Sequence, residues 1–183
     1  MKESIAVIFA FILTLTAYAQ VHTSGYVVMA GQDTVTCTIK LAGKKKVTDY
    51  YTLVLVDSNG EEIIYKAEDK AVDAFGFELL GKKYDYRFVE IFKTYESGFF
   101  QLIDDGPNYK LYVNYIPVPN NVQAHYALFR PNGEYIDLTT HKLGSWKKNL
   151  RSFFGDNPAA LAAIENLSAK EIPDFVKNLN KVE

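Results

Sequence analysis

Side chains able to shuttle a proton, ligate a metal or attack a carbonyl are few in this sequence and widely spaced. His22, His125 and His141 lie far apart and form no His-x-x-x-His pair, so zinc-type spacing is absent. Ser97 and Ser145 lack a Gly-x-Ser-x-Gly frame and have no histidine or carboxylate at an activating position. Gly76 and Gly81 do not build Gly-x-Gly-x-x-Gly, and no Walker pattern occurs. No cofactor, metal ligand or catalytic residue is therefore assigned. Asp104-Asp105-Gly106 offers oxygens of the kind calcium takes, but a calcium loop spreads its ligands over alternating positions and ends in Glu. Turn chemistry is the better account of that stretch. Glycosidase carboxylates meet only in space, and Asp85, Glu90, Glu61 and Glu62 occupy solvent-type positions beside strands or turns. His125 has the opposite parity from Tyr126 and Leu128 and reads as a surface strand residue, while His141 precedes a helix.

The feature with functional reach is aromatic. With 13 Tyr and 12 Phe against 11 Gly, the composition favours pleated structure and supplies rings that stack on ligands. Tyr112 lies on the polar parity of its strand with Lys110 and Asn114, and Arg87 lies on the polar parity of a nearby one. Tyr beside Asn and Arg is equipment for stacking on, and hydrogen bonding to, a sugar or peptide. Arg87, Tyr112 and Asn114 are accordingly the expected ligand-binding residues. The competing reading, which carries more weight at this point, has a second sheet or the C-terminal helices covering this face and burying Tyr112 as core.

The elements that must position these residues are mostly strands. Residues 34–41 alternate without a fault, with Val35, Cys37, Ile39 and Leu41 on a dry parity and Thr34, Thr36, Thr38 and Lys40 on a wet one. Ala30-Gly31-Gln32-Asp33 is a turn that joins them to residues 26–29 in a hairpin. Residues 50–57 are apolar on both parities, as in a central strand covered on both sides, and Ser58-Asn59-Gly60-Glu61 turns them into residues 62–66. Phe75, Phe77 and Leu79 share a parity interrupted by Gly76, which reads as a bulge or bend. Tyr84, Tyr86 and Phe88 form an aromatic stripe opposite Asp85 and Arg87. In the strand from Tyr109, the inward set is Tyr109, Leu111, Val113 and Tyr115. Residues 116–121, with Pro117 and Pro119, read as an extended, unpaired linker before a last hairpin of residues 124–138.

Beyond residue 141 the period becomes helical. Leu143, Trp146, Leu150, Phe153 and Phe154 recur at spacings of three and four. Asp156-Asn157-Pro158 starts a second helix carrying Leu161, Ile164 and Leu167. Ser168-x-x-Glu171 is a capping box, and Pro173 moves the start of the third helix to about Ile172. Strands segregated from helices predict a mainly β (α+β) fold. It is an antiparallel β-sandwich or open barrel with two to three C-terminal helices packed on it.

The N-terminus carries Lys2, an apolar run over residues 5–15, and then Ala17-Tyr18-Ala19-Gln20. That run is too short for a bilayer, which takes about 20 residues, and suits a signal peptide cleaved between Ala19 and Gln20. The expected organisation is a signal peptide over 1–19 and one domain over 20–183, with strands in 20–140 and a helical cap in 141–183. The product is exported, periplasmic or extracellular, and does not span the membrane after cleavage. A single cysteine forms no intramolecular disulfide, so packing alone must hold the fold, and Cys37 reads as a buried inert thiol. A net charge of −2 with interspersed signs excludes a nucleic-acid footprint. The basic run Lys44-Lys45-Lys46 is a solvated loop.

The hairpin Gly25-Tyr-Val-Val, Gly31-Gln-Asp33-Thr34 and Val-Thr-Cys-Thr-Ile39 resembles the start of small exported proteins of unknown function from Bacteroidota. Their mature chains open with a Gly-hydrophobic strand and a Gly-Asp-Thr turn. Lys82-Lys83-Tyr84 and Phe153-Phe154-Gly155-Asp156 are similar to that group too. Here Gln32 stands between the Gly and the Asp, and Cys37 takes the place of a Gly. The resemblance implies export and a β-rich fold and transfers no activity. The expected function is non-enzymatic binding of a small-molecule, glycan or peptide ligand. The alternative is an envelope-associated protein–protein or structural role.

Overall fold

The computed structural model describes residues 21–41, 51–90, 98–118, 121–139, 145–155 and 157–181. Its strands are β1 (Val21–Met29), β2 (Thr34–Leu41), β3 (Thr52–Val56), β4 (Glu62–Lys66), β5 (Val72–Leu79), β6 (Lys82–Val89), β7 (Gly98–Asp105), β8 (Lys110–Val118), β9 (Asn121–Phe129) and β10 (Tyr135–Thr139). They form one open sheet in the order β10-β9-β8-β7-β6-β5-β1-β2-β3-β4, antiparallel throughout. Three helices follow: α1 (Ser145–Phe153), α2 (Pro158–Asn166) and α3 (Ile172–Leu179). The mainly β, α+β architecture with a C-terminal helical layer is as expected. His141, the lysine loop and the whole segment before residue 21 lie outside the described residues.

The turns are where their chemistry puts them. Gly31, Gly60 and Gly133 all carry positive φ, at 69°, 83° and 85°. Asp57 folds its carboxylate back onto the N–H groups of Asn59 and Glu61, at 2.9 and 2.8 Å, which fixes the β3–β4 hairpin. Leu80 and Gly81 both take positive φ, the two-residue geometry that matches the strand twist between β5 and β6.

One connection shapes the sheet. Five residues link β4 to β5, although three strands lie between them in the sheet. In a flat sheet that gap is ~19 Å at ~4.8 Å per strand. Residues 67–69 are coiled in a 3-10 turn rising only ~2 Å per residue, so the linker is too short unless the sheet curls. The curl brings Ala67, 1% exposed, into the core with Val27, Ile39, Leu53 and Phe75. It also sets the turn against β7.

Both main cores lie on one face, here called the inner face. A single cross-strand row passes through Val27, Phe75, Tyr86, Gln101, Val113, Tyr126 and Leu138 from β1 to β10. Over β1–β6 the row is enclosed by the curl, with Phe75 stacked on Tyr86 at 4.8 Å and edge-on to Phe99 at 5.2 Å. Over β8–β10 it is covered by the helices, whose Trp146, Leu150, Phe154, Ile164, Phe175 and Val176 join Leu111, Val113, Leu128 and Leu138. Asn157 accepts from Ala160 N–H at 3.0 Å to start α2. Glu171 accepts from both Ser168 N–H and Ser168 Oγ, at 2.8 and 2.6 Å, which closes the capping box before α3. Those hydrogen bonds hold the Glu171 carboxyl below its ordinary pKa.

Several expectations are corrected. Val35 sits on the predicted dry parity but is 52% exposed, because the hairpin tip projects beyond the core that buries Ile39 and Leu41. The apolar strand of residues 52–56 is next to the sheet edge rather than central: Leu53 and Leu55 are buried, and Val54 and Val56 only half-covered. Residues 116–118 and 121 are not a linker, since Pro117 pairs with Val122 and Val118 with Asn121 as β8 continues into β9. Tyr115, placed inward by parity, is 53% exposed because it lies beyond the reach of the helical layer. Gly76 is no bulge; its register with Tyr26 and Asp85 is continuous. The irregularities fall at Val28/Met29 and between Leu102 and Asp104.

Candidate functional site

The outer face of the sheet collects the polar parities of β6, β8, β9 and β10. Arg87 is paired with Phe100 across β6–β7, Leu102 with Tyr112 across β7–β8, and Asn114 with His125 across β8–β9. Arg87, Tyr112 and Asn114, the three expected ligand residues, therefore share one face within two strand spacings. The helices pack on the inner face, so they do not cover Tyr112. The cover expected over this face is not the helical layer.

Gly76 explains how the first cluster is built. A Cβ there would lie 2.5 Å from Cε1 of Tyr26 and 2.8 Å from the carbonyl oxygen of Tyr84. The missing side chain is the seat of the Tyr26 ring, which crosses β5 to reach β6. From that seat Tyr26 donates its hydroxyl to Asp85 Oδ1 at 2.6 Å and accepts from Arg87 at 3.2 Å. Arg87 closes the set with two bonds to the Asp85 carboxylate, that from its second terminal nitrogen at 3.2 Å. Asp85 is thus no solvated carboxylate, as its parity implied, but a half-exposed partner of Tyr26 on β1 and of Arg87 on its own strand. Burial raises the Tyr26 pKa, and its bond to Asp85 adds to the effect. Burial opposes the charge on Arg87, but Tyr26 and Asp85 outweigh it and leave its pKa raised.

Tyr112 stands between that cluster and a second pair, Lys110 with Asp105 at 2.8 Å, which raises the Lys110 pKa. Its ring meets Phe129 edge-on at 5.5 Å, and Phe129 stacks on Tyr135 at 5.1 Å. Burial raises the Tyr112 pKa, with the Lys110 charge partly offsetting it. Tyr26 and Tyr112 are therefore neutral hydroxyls, donor and acceptor at once, throughout the neutral range.

The far side of the face is buried. His125 was expected on the surface, yet it is 2% exposed, its Nε2 lying 2.5 Å from Asp137 Oδ1 and its ring edge-on to Phe100 at 5.9 Å. Asn114, expected to face outward, is 5% exposed and its Nδ2 lacks a hydrogen-bond partner. The Tyr135 hydroxyl is a second buried group in that condition. Period-two reading missed His125 and Asp137 because parity gives the face and not what lies over it. Their register, Asp137 opposite Ala127 and diagonal to His125, depends on the length of the β9–β10 hairpin.

The candidate calcium turn is closed from within the chain: Asp104 bonds Asn180 of the C-terminal segment, and Asp105 bonds Lys110. Among the described residues no group of His, Cys, Asp and Glu could hold a metal ion. Burial raises the pKa of the half-buried Cys37 thiol, which keeps it protonated and inert. A cleft of about 350 Å³ lies between the turns and the helices, lined by Asn108, Tyr109, Arg130, Pro131, Asn157, Ala159 and Leu179. Two of its polar side chains are already engaged: Arg130 lies over the Phe153 ring at 4.3 Å and bonds Glu134 and the Phe153 carbonyl, while Asn157 caps α2.

Fold and face together define an α+β protein built on one curled antiparallel sheet, with helices on the inner face and a polar–aromatic cluster on the outer. The chain matches no protein-family model, no curated protein and no solved structure. Among the described residues no helix is long and apolar enough to cross a membrane.

Proposed function

We propose that this is an exported, non-enzymatic binding protein that holds a small-molecule, glycan or peptide ligand on the outer face of β6–β8. The observation that carries this reading is Tyr112: a half-buried ring with the Tyr26–Asp85–Arg87 set on one side and the Lys110–Asp105 pair on the other. A ring flanked by fixed donors and acceptors suits a ligand with an apolar face and polar edges. The charged groups are already matched to one another, which favours holding a neutral ligand over driving proton transfer. Asn114 lies one alternation further along β8 with an unmatched donor, and it serves as the inner anchor.

A thermal-shift screen of glycans and short peptides tests it. A ligand at a hundredfold its Kd should add ~2.7 kcal/mol of stability. The shift should vanish in Tyr112→Ala, which should still unfold in one cooperative transition, at a melting temperature lowered by the lost contact with Phe129. It should also be flat from roughly pH 6 to 9, because both tyrosine hydroxyls remain protonated. A shift that survives Tyr112→Ala would place the ligand elsewhere.

Export rests on the N-terminal pattern and on the Bacteroidota-type hairpin, and it predicts a mature chain beginning at Gln20. N-terminal sequencing of the protein recovered outside the inner membrane checks this; retention of Met1 would end the proposal. The second reading, an envelope-associated protein–protein role, is favoured by the exposure of Val35, Ile63 and Ile64 at the other end of the sheet.

A further inference from the structure

The two ends of the sheet are treated differently. At β10 the helical layer packs against the strand, and Asn149 Nδ2 donates to the outward carbonyl of Asp137 at 3.3 Å. Among the described residues the sheet order ends at β4 with nothing paired beyond it, and Ile63 and Ile64 are 42% and 59% exposed. An unprotected apolar edge is a template for another strand.

The register fixes which backbone groups that edge presents. Asp57 N–H bonds Glu61 C=O at 2.9 Å and Ala67 N–H bonds Tyr51 C=O at 2.7 Å, with Leu55 opposite Ile63 and Leu53 opposite Tyr65. In an antiparallel pair hydrogen-bonded positions alternate, so Glu61, Ile63 and Tyr65 turn their peptide groups to β3. Glu62, Ile64 and Lys66 turn theirs away from the sheet.

We propose that β4 pairs with β4 of a second copy of this chain about a two-fold axis at Ile64, joining two sheets into one. This proposal does not depend on the outer-face ligand. In that register Ile64 meets Ile64, Glu62 meets Lys66, and Lys66 meets Glu62. The outward N–H and C=O groups of Glu62 and Ile64 and the Lys66 C=O all find partners, and the Lys66 N–H exchanges its long 3.4 Å contact with Asp69 Oδ2 for the bond between copies. Moving the axis to Glu62 or Lys66 leaves most of those groups unmatched and sets like charges opposite each other. On the inner side Ile63 meets Tyr65, covering the apolar surface that is exposed in the single chain. A two-fold contact uses the β4 edge of both copies, and Asn149 and α1 lie against the β10 edge, so the contact closes as a dimer and does not propagate. The existing exposed pairs, Lys40–Glu62 at 2.6 Å and Lys66–Glu68 at 3.2 Å, are shared and not broken.

A short strand pair buries less than ~1,200 Å², so dissociation constants of roughly tens to hundreds of micromolar are expected. Sedimentation of the mature chain from ~5 µM to ~1 mM should show the mass doubling across that range. Ile64→Pro deletes an outward N–H without removing a bond to β3, so it should stay monomeric with an unchanged melting curve. Glu62→Lys and Lys66→Glu should each be monomeric alone, because each sets like charges opposite. An equimolar mixture of the two should recover the dimer, since the crossed pairing is complementary at both positions. A wild-type chain that stays monomeric to ~1 mM overturns the proposal. So does a dimer that persists in Ile64→Pro, a mixture that fails to associate, or an assembly that grows beyond two copies.

Discussion

Phe154→Ala is expected to lower the free energy of unfolding by about 3–5 kcal/mol, the usual range for emptying a buried phenylalanine site. Phe154 is 1% exposed and sits where the end of α1, the helix α3 and the start of β8 converge. Its ring is edge-on to Tyr109 at 5.2 Å, Phe153 at 5.1 Å and Phe175 at 5.6 Å. Interlocked right-angle contacts leave no neighbour free to fill the gap without leaving its own partner. Urea titration should show one transition at lower midpoint with the slope retained. A loss under about 1 kcal/mol, or a second transition, would mean the helices and the sheet do not unfold as one unit.

Asn180→Ala is expected to cost about 2–3 kcal/mol, far more than truncating a polar residue at a chain end. Its side-chain oxygen accepts from the N–H groups of Asn108 and Tyr109, at 3.2 and 2.8 Å. Its amide donates to Asp104 Oδ2 and to the Tyr109 carbonyl, at 2.5 and 2.8 Å. One side chain thus ties the end of α3 to the turn between β7 and β8. Gly106 makes room for it, since a Cβ there would fall 2.1 Å from Asn180 Cγ. Asp104→Ala and Asn180→Ala together should cost less than their sum, as expected for groups that bond each other. Asn180→Asp should be worse than alanine near neutral pH, because it sets a second carboxylate against Asp104. Part of that loss should return as the pH falls and one of the pair protonates. Full additivity of the two alanine variants would show that Asn180 and Asp104 are not coupled.

Strands and turns were legible because each rests on a local preference. Alternation placed β2, Gly60 and Gly133 marked their hairpins, and Ser168 with Glu171 marked the approach to α3. The outer-face cluster was half legible. Parity put Arg87, Tyr112 and Asn114 on one side of their strands, which the sheet then brought together. It could not show that Asp85 and Tyr26 engage Arg87, because that contact needs β1 beside β5 and a glycine beneath the Tyr26 ring. His125 and Asp137 were missed for a similar reason: two polar residues on polar parities look solvated until a neighbouring strand sets them face to face. The turn at Asp104 was recognised as a turn, while its partner 76 positions later was not.

By itself the sequence determined the local geometry of this protein: which segments extend, where the chain reverses, where helices begin, and which side each residue faces. These follow from interactions over a few residues, where backbone sterics and hydrogen bonding decide. The tertiary structure alone decided which strand is an edge, which face the helices cover, and which polar groups meet. Those depend on a short β4–β5 connection that curls the sheet, and on contacts between residues far apart in the chain, which no local preference encodes.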